Sequence, residues 1–165
     1  MKNCILKLIV GLAIISFPVI AACTVKAQNW VGAEDPADAI PAPAYNYIID
    51  DADCIARGVV GYAALYSDGT ETITIRSDAN EWVKWHEYAH TVDMDINSPT
   101  LYLYSTTPEW AQATAHIVYT SYIMDESPAE LFAQFYTAYH IDAYWRQDLA
   151  TWNKPVYDFF VAHNL

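Results

Sequence analysis

The chain is short of positive charge. It carries eight Lys and Arg against twenty Asp and Glu, for a formal net charge of −12 over 165 residues. A nucleic-acid binder neutralises phosphates with a basic stripe, so this composition argues against nucleic acid as a partner. Cysteine is also scarce, with only Cys4, Cys23 and Cys54. No internal repeat and no low-complexity tract is visible. A long apolar run is lacking too. Ile9 to Ile20 is broken by Gly11, Ser16 and Pro18 and is too short to span a bilayer.

What is present begins with an export signal. Lys2 and Lys7 precede that apolar stretch, and Ala21, Ala22 and Cys23 follow it. Two processing sites compete. Ile20-Ala21-Ala22-Cys23 resembles a bacterial lipobox, which makes residues 1–22 a signal peptide and Cys23 a lipidated first residue attached to a membrane. Val25-Lys26-Ala27 would instead release a protein beginning at Gln28. The lipobox is favoured because it accounts for Cys23. Either way the protein is exported, lipid-anchored at a bacterial cell surface or secreted. With Cys23 lipidated, Cys54 stands alone, no internal disulfide forms, and the fold must rely on its core. About 140 residues remain, enough for one domain and expected to be a monomer. Loss of Lys2 and Lys7 makes it more acidic still, which helps keep it soluble.

Residues 23–45, interrupted by Pro36, Pro41 and Pro43, read as a flexible arm. The folded domain is expected over 46–165. Tyr45 to Ile49 and a part of Arg57 to Tyr66 suit strands. Ser67-Asp68-Gly69-Thr70 is a turn, and Glu71 to Arg76 alternates like a strand, so a hairpin is expected. Ser77 or Asp78 is placed to cap a helix reaching about Asp95. Thr107-Pro108 opens a helix to about Tyr119, and Ser127-Pro128 one to about His140. Terminal helices are expected over 142–152 and 155–163. Strands followed by helices give an α+β class.

Within the first of these helices, Trp85-His86-Glu87-Tyr88-Ala89-His90 reads HExxH. One turn separates His86 from His90, so both rings leave the same face. Trp82, Trp85, Ala89 and Val92 form an apolar stripe with the histidines at its border. An unpartnered ring there is costly and a zinc ion is a suitable partner, with Glu87 able to act on a bound water. A catalytic zinc needs a third ligand. The position six beyond His90 is Ile96, which excludes the His-rich metzincin pattern. Asp93 is too close on the same helix and suits a role orienting a ligand ring. Glu130, on a later helix, is the best candidate. Against it, Ser127-Pro128-Ala129-Glu130 fits a capping box. Glu126 is the next carboxylate to consider.

HEYAHTVD followed by SPAELFAQFYTAY resembles the zinc peptidases related to the anthrax lethal factor catalytic domain, including the Pro-Pro endopeptidases. The similarity lies in two motifs within roughly residues 58–160. It implies a small zincin-like metallopeptidase domain, one Zn2+ held by His86, His90 and Glu130, and Glu87 as general base. It also implies a tyrosine facing the substrate carbonyl. Tyr122 is the nearest match, one residue further upstream than the pattern, and Tyr119 is the alternative. Gln134 stands where the family has a second Glu.

The expected function is an exported zinc endopeptidase acting on a protein or peptide substrate. The alternatives are a lipid-anchored zinc-binding or surface-interaction module without catalysis, and a deformylase-type hydrolase, which needs a cysteine ligand that Cys54 does not match. His116 is expected at a core border, His140 and His163 near helix ends where the dipole suits them, and Cys54 as a buried small residue.

Overall fold

The computed structural model describes residue 36 and residues 38–117 and 127–165. The signal segment, both processing sites, most of the expected arm, Tyr119, Tyr122 and Glu126 lie outside the described residues. Within them are six helices and a three-stranded sheet, an α+β architecture.

The sheet follows from alternation. β3 (Glu71–Ile75) is the central strand, flanked by antiparallel β2 (Gly61–Leu65) and by parallel β1 (Ile48–Ile49). The β2–β3 turn closes as the Asp-Gly signal predicts. Gly69 takes φ 85° and Asp68 Oδ1 accepts the Thr70 N–H at 2.9 Å. Period-2 geometry sends Ala63, Leu65, Ile73 and Ile75 to one face. There they pack with Val83 of α2 (Glu81–Asp93) and with Met94. Tyr62 and Ala64 cluster separately with Cys54 and Val59. All five β2 residues are consequently buried.

Cys54 belongs to α1 (Asp51–Arg57), a helix that no hydrophobic period announces, because Cys54 is its only buried residue. Its ends are set by chemistry instead. Asp50 accepts the Asp53 N–H at 2.9 Å, and Gly58 turns the chain out at φ 72°.

α2 starts later than expected. Asn80 is the cap, accepting the Val83 N–H at 3.1 Å. Ser77 is engaged elsewhere: its N–H and hydroxyl both donate to Asp51, at 2.6 and 2.8 Å. Asp78 pairs with Arg76. The helix ends at Asp93 because Met94 is extended.

The remaining helices are α3 (Pro108–Thr114), α4 (Pro128–His140), α5 (Ala143–Trp152) and α6 (Lys154–His163). Thr107 and Ser127 cap α3 and α4 as predicted, but α3 stops at Thr114, well before Tyr119. α4 buries every residue from Glu130 to Ala138. α2 covers one side of it and α5 and α6 the others. Trp110 of α3 fills the far end of this layer, edge-on to Phe132 at 5.4 Å and to Phe159 at 5.1 Å.

Residues 40 and 42, before β1, are tied to this layer. The Ile40 N–H donates to Ile141 O at 2.7 Å, and Trp85 Nε1 donates to Ile40 O at 2.7 Å. The Ala42 N–H donates to Glu81 Oε2 at 2.8 Å. These bonds hold the back of α2 opposite its histidines.

Candidate metal centre

α2 and α4 lie against each other, and three polar groups meet between them. His86 and His90 are 1% and 2% exposed, with ring centroids 4.9 Å apart. Glu130 stands on the first turn of α4. Its backbone N–H donates to Ser127 Oγ at 3.2 Å, which forms the cap. Its side chain turns to the histidines. Oε2 lies 3.1 Å from His86 Nε2, and Oε1 lies 3.5 Å from His90 Nε2. The Ser127 half of the capping box therefore forms, but the Glu130 carboxylate, which the box would send back to the Ser127 amide, faces the histidines.

Direct hydrogen bonding alone is a poor account of this cluster. An imidazole nitrogen offers one in-plane site, either a proton or a lone pair. His86 Nε2 is within range of both Glu130 Oε2 and His90 Nε2, the latter at 3.2 Å. One site cannot point at both. Ligands held about 2.0–2.1 Å from a tetrahedral ion stand roughly 3.3 Å from one another. The separations of 3.1, 3.2 and 3.5 Å bracket that value. The His86, His90 and Glu130 donors all fall within 4.8 Å of each other, and this buried group can bind a metal ion.

The electrostatics suit a cation. Burial, with His86 beside it, drives the His90 pKa down to about 3, against the pull of Glu130. The ring is therefore neutral, as a ligand must be. Glu87 is fully buried, and burial raises its carboxyl to about 8, opposed by His86 and assisted by Glu130. Neither Glu87 oxygen makes a well-formed hydrogen bond to a described residue, and the Ala63 amide gives only a weak pull toward the charged form. A buried carboxyl with a displaced pKa, beside donors that can bind a metal ion, marks a candidate functional site.

Several expectations need correction. Asp93 does not orient a ring. Its Oδ1 accepts the N–H groups of Tyr104 and Ser105, at 2.9 and 2.8 Å, and so ties the following loop to the end of α2. His116 is exposed beyond the end of α3 rather than at a core border. Cys54 is buried as expected and is not one of the clustered donors.

His140 does end α4, but its ring does not act as a charge on the helix dipole. It stacks on Trp85 at 5.0 Å and 10° and lies 4.3 Å from Tyr136. Burial, with Arg146 adding repulsion, lowers its pKa to about 4. The unfolded chain then binds a proton here before the folded one does. Stability from this group is intact above pH 6.5 and is lost as pH falls from about 6.5 to about 4. The ceiling is roughly 3 kcal/mol, lowered by partial solvent contact. Urea unfolding of wild type and His140→Gln between pH 7 and 4 should show a shallower acid decline in the variant. Parallel curves would contradict this account.

No protein-family model, curated protein or solved structure matches the chain, so the meaning of this site rests on its own chemistry.

Proposed function

We propose that the protein is an exported zinc-dependent endopeptidase of the lethal-factor-related type, with a zincin-like catalytic domain. The observation that carries this reading is the buried convergence of His86, His90 and Glu130 next to the buried carboxyl of Glu87. Two imidazoles and one carboxylate form the donor set of hydrolytic zinc sites, which leave one position for water. A zinc ion held there supplies Lewis acidity and brings the ionisation of a water toward neutral pH.

Glu87 takes the proton of the attacking water and delivers it to the leaving amine. Tyr122, which the resemblance assigns to the substrate carbonyl, donates a hydrogen bond to the developing oxyanion. β2 is an edge strand among the described residues and runs beside Glu87. An extended peptide backbone pairs readily with such an edge, which suits a protein or peptide substrate. Lipidation at Cys23 would hold this activity at the cell surface.

The test is cleavage of a broad peptide library with cut sites mapped by mass spectrometry. Zinc-loaded protein is expected to cut at defined bonds, to stop when a chelator is added and to resume when zinc is restored. A fully zinc-loaded sample that cuts nothing would reject the peptidase and leave a metal-binding module.

A further inference from the structure

Gly61 is placed where no side chain fits. It pairs with Ile75 across the β2–β3 ladder and faces α2 together with Ala63 and Leu65. A Cβ built at this position would lie 2.9 Å from Glu87 Cγ, 3.1 Å from Glu87 Oε1 and 3.1 Å from Ile75 Cγ2. Gly58 and Gly69 have a different reason to be glycine. Both adopt positive φ, at 72° and 85°, and a Cβ at either would meet nothing within 4 Å. Gly61 does not share that backbone conformation. What it provides is space.

We propose that Gly61 is a positioning residue for Glu87, its missing side chain being the recess in which the Glu87 carboxyl is held beside the metal ligands. The strand cannot easily retreat, because its backbone is bonded to β3 and both of its faces are covered. Ile75 is a 2% exposed core residue and has little room to move. The Glu87 side chain is the part that can turn away. An alanine at position 61 therefore displaces the carboxyl, while His86, His90 and Glu130 keep their mutual separations. The catalytic meaning of this recess rests on the peptidase reading above, but the packing itself does not.

A double-mutant cycle tests the packing without any activity. Metal-free wild type, Gly61→Ala, Glu87→Ala and the double variant are compared by thermal unfolding. Gly61→Ala is expected to lower Tm in the wild-type background. With Glu87 cut back to alanine, its Cγ and carboxyl are gone. The same substitution should then leave Tm unchanged or raise it, since alanine restricts the unfolded strand more than glycine does. Equal losses in both backgrounds would overturn the proposal and leave Ile75 as the neighbour that matters. Should Gly61→Ala fail to fold, a folded double variant supports the proposal and an unfolded one overturns it.

Activity then separates positioning from packing. Gly61→Ala should keep one zinc per chain and an unchanged KM, with kcat at least tenfold lower and an altered pH profile. An unchanged kcat would refute the positioning role. If wild type itself cleaves nothing while the Tm coupling holds, the peptidase reading fails and the Gly61–Glu87 fit stands.

Discussion

Glu87→Gln is expected to retain one zinc per chain and to lower kcat/KM on peptide substrates by on the order of 10²- to 10⁴-fold, the contribution of a positioned general base. Glu87 is not one of the clustered donors, so the amide leaves the metal site as it is. The amide is nearly isosteric and cannot accept the proton. A second signature accompanies the loss. In the metal-free protein the Glu87 carboxyl sits at about 8, well above its ordinary value of 4.5. The folded state therefore holds more protons than the unfolded state between those limits. The stability this group contributes is full below about pH 4.5 and is lost as pH rises toward and through about 8. Glu87→Gln should abolish that decline and be relatively more stable at pH 8. Zinc content by elemental mass spectrometry, a cleavage assay and urea unfolding at pH 5 and pH 8 check the three parts. Undiminished cleavage by this variant would remove Glu87 from the mechanism.

Glu130→Ala should abolish metal-linked stabilisation. A ligand that binds only the folded state adds about 4 kcal/mol at a thousand times its dissociation constant. Wild type should show a rise of that order with saturating zinc and lose it with chelator. Removing an outer partner of a metal ligand already weakens affinity by roughly 10- to 100-fold, and losing a ligand itself should cost more. The helix should survive, because the bond to Ser127 Oγ comes from the backbone N–H of residue 130 and not from its side chain. The variant therefore tests the carboxylate alone. A Glu130→Ala protein that melts like metal-free wild type but no longer responds to zinc supports the ligand. One with unaltered zinc affinity reduces Glu130 to a helix start. Competition against a coloured chelator gives the affinities.

What could be read from the chain and what could not divide along physical lines. HEYAH was legible because the i, i+4 spacing fixes two rings on one helix face whatever the rest of the fold does. The hairpin was legible because Asp68-Gly69 and the Thr-Ile alternation are local signals. Glu130 required reasoning about distance, since a capping box and a metal ligand look alike in sequence, and only the packing of α4 on α2 turns its carboxylate toward His86 and His90. Helix α1 is not legible in this way, because its determinants are caps, at Asp50 and Gly58, and not an apolar period. The start of α2 is not fixed by residue type, because Ser77 and Asp78, both good caps by type, are drawn to Asp51 and Arg76. Proximity along the helix points Asp93 toward a ring, whereas the loop amides of Tyr104 and Ser105 offer it two donors. Gly61 carried no local signal at all, since its reason for being glycine lies on another element.

The all-round enclosure of α4 has one more consequence. Glu130 does not ride on a loop but on the first turn of a helix whose next eight residues are all buried. The distance between its carboxyl and the paired imidazoles is set by how two helices interlock, before any ion arrives. A metal ion bound there would fill a finished receptor. Little chain order remains to be gained, so calorimetry of binding should register a small change in heat capacity, unlike the large one of a peptide that folds around its ion.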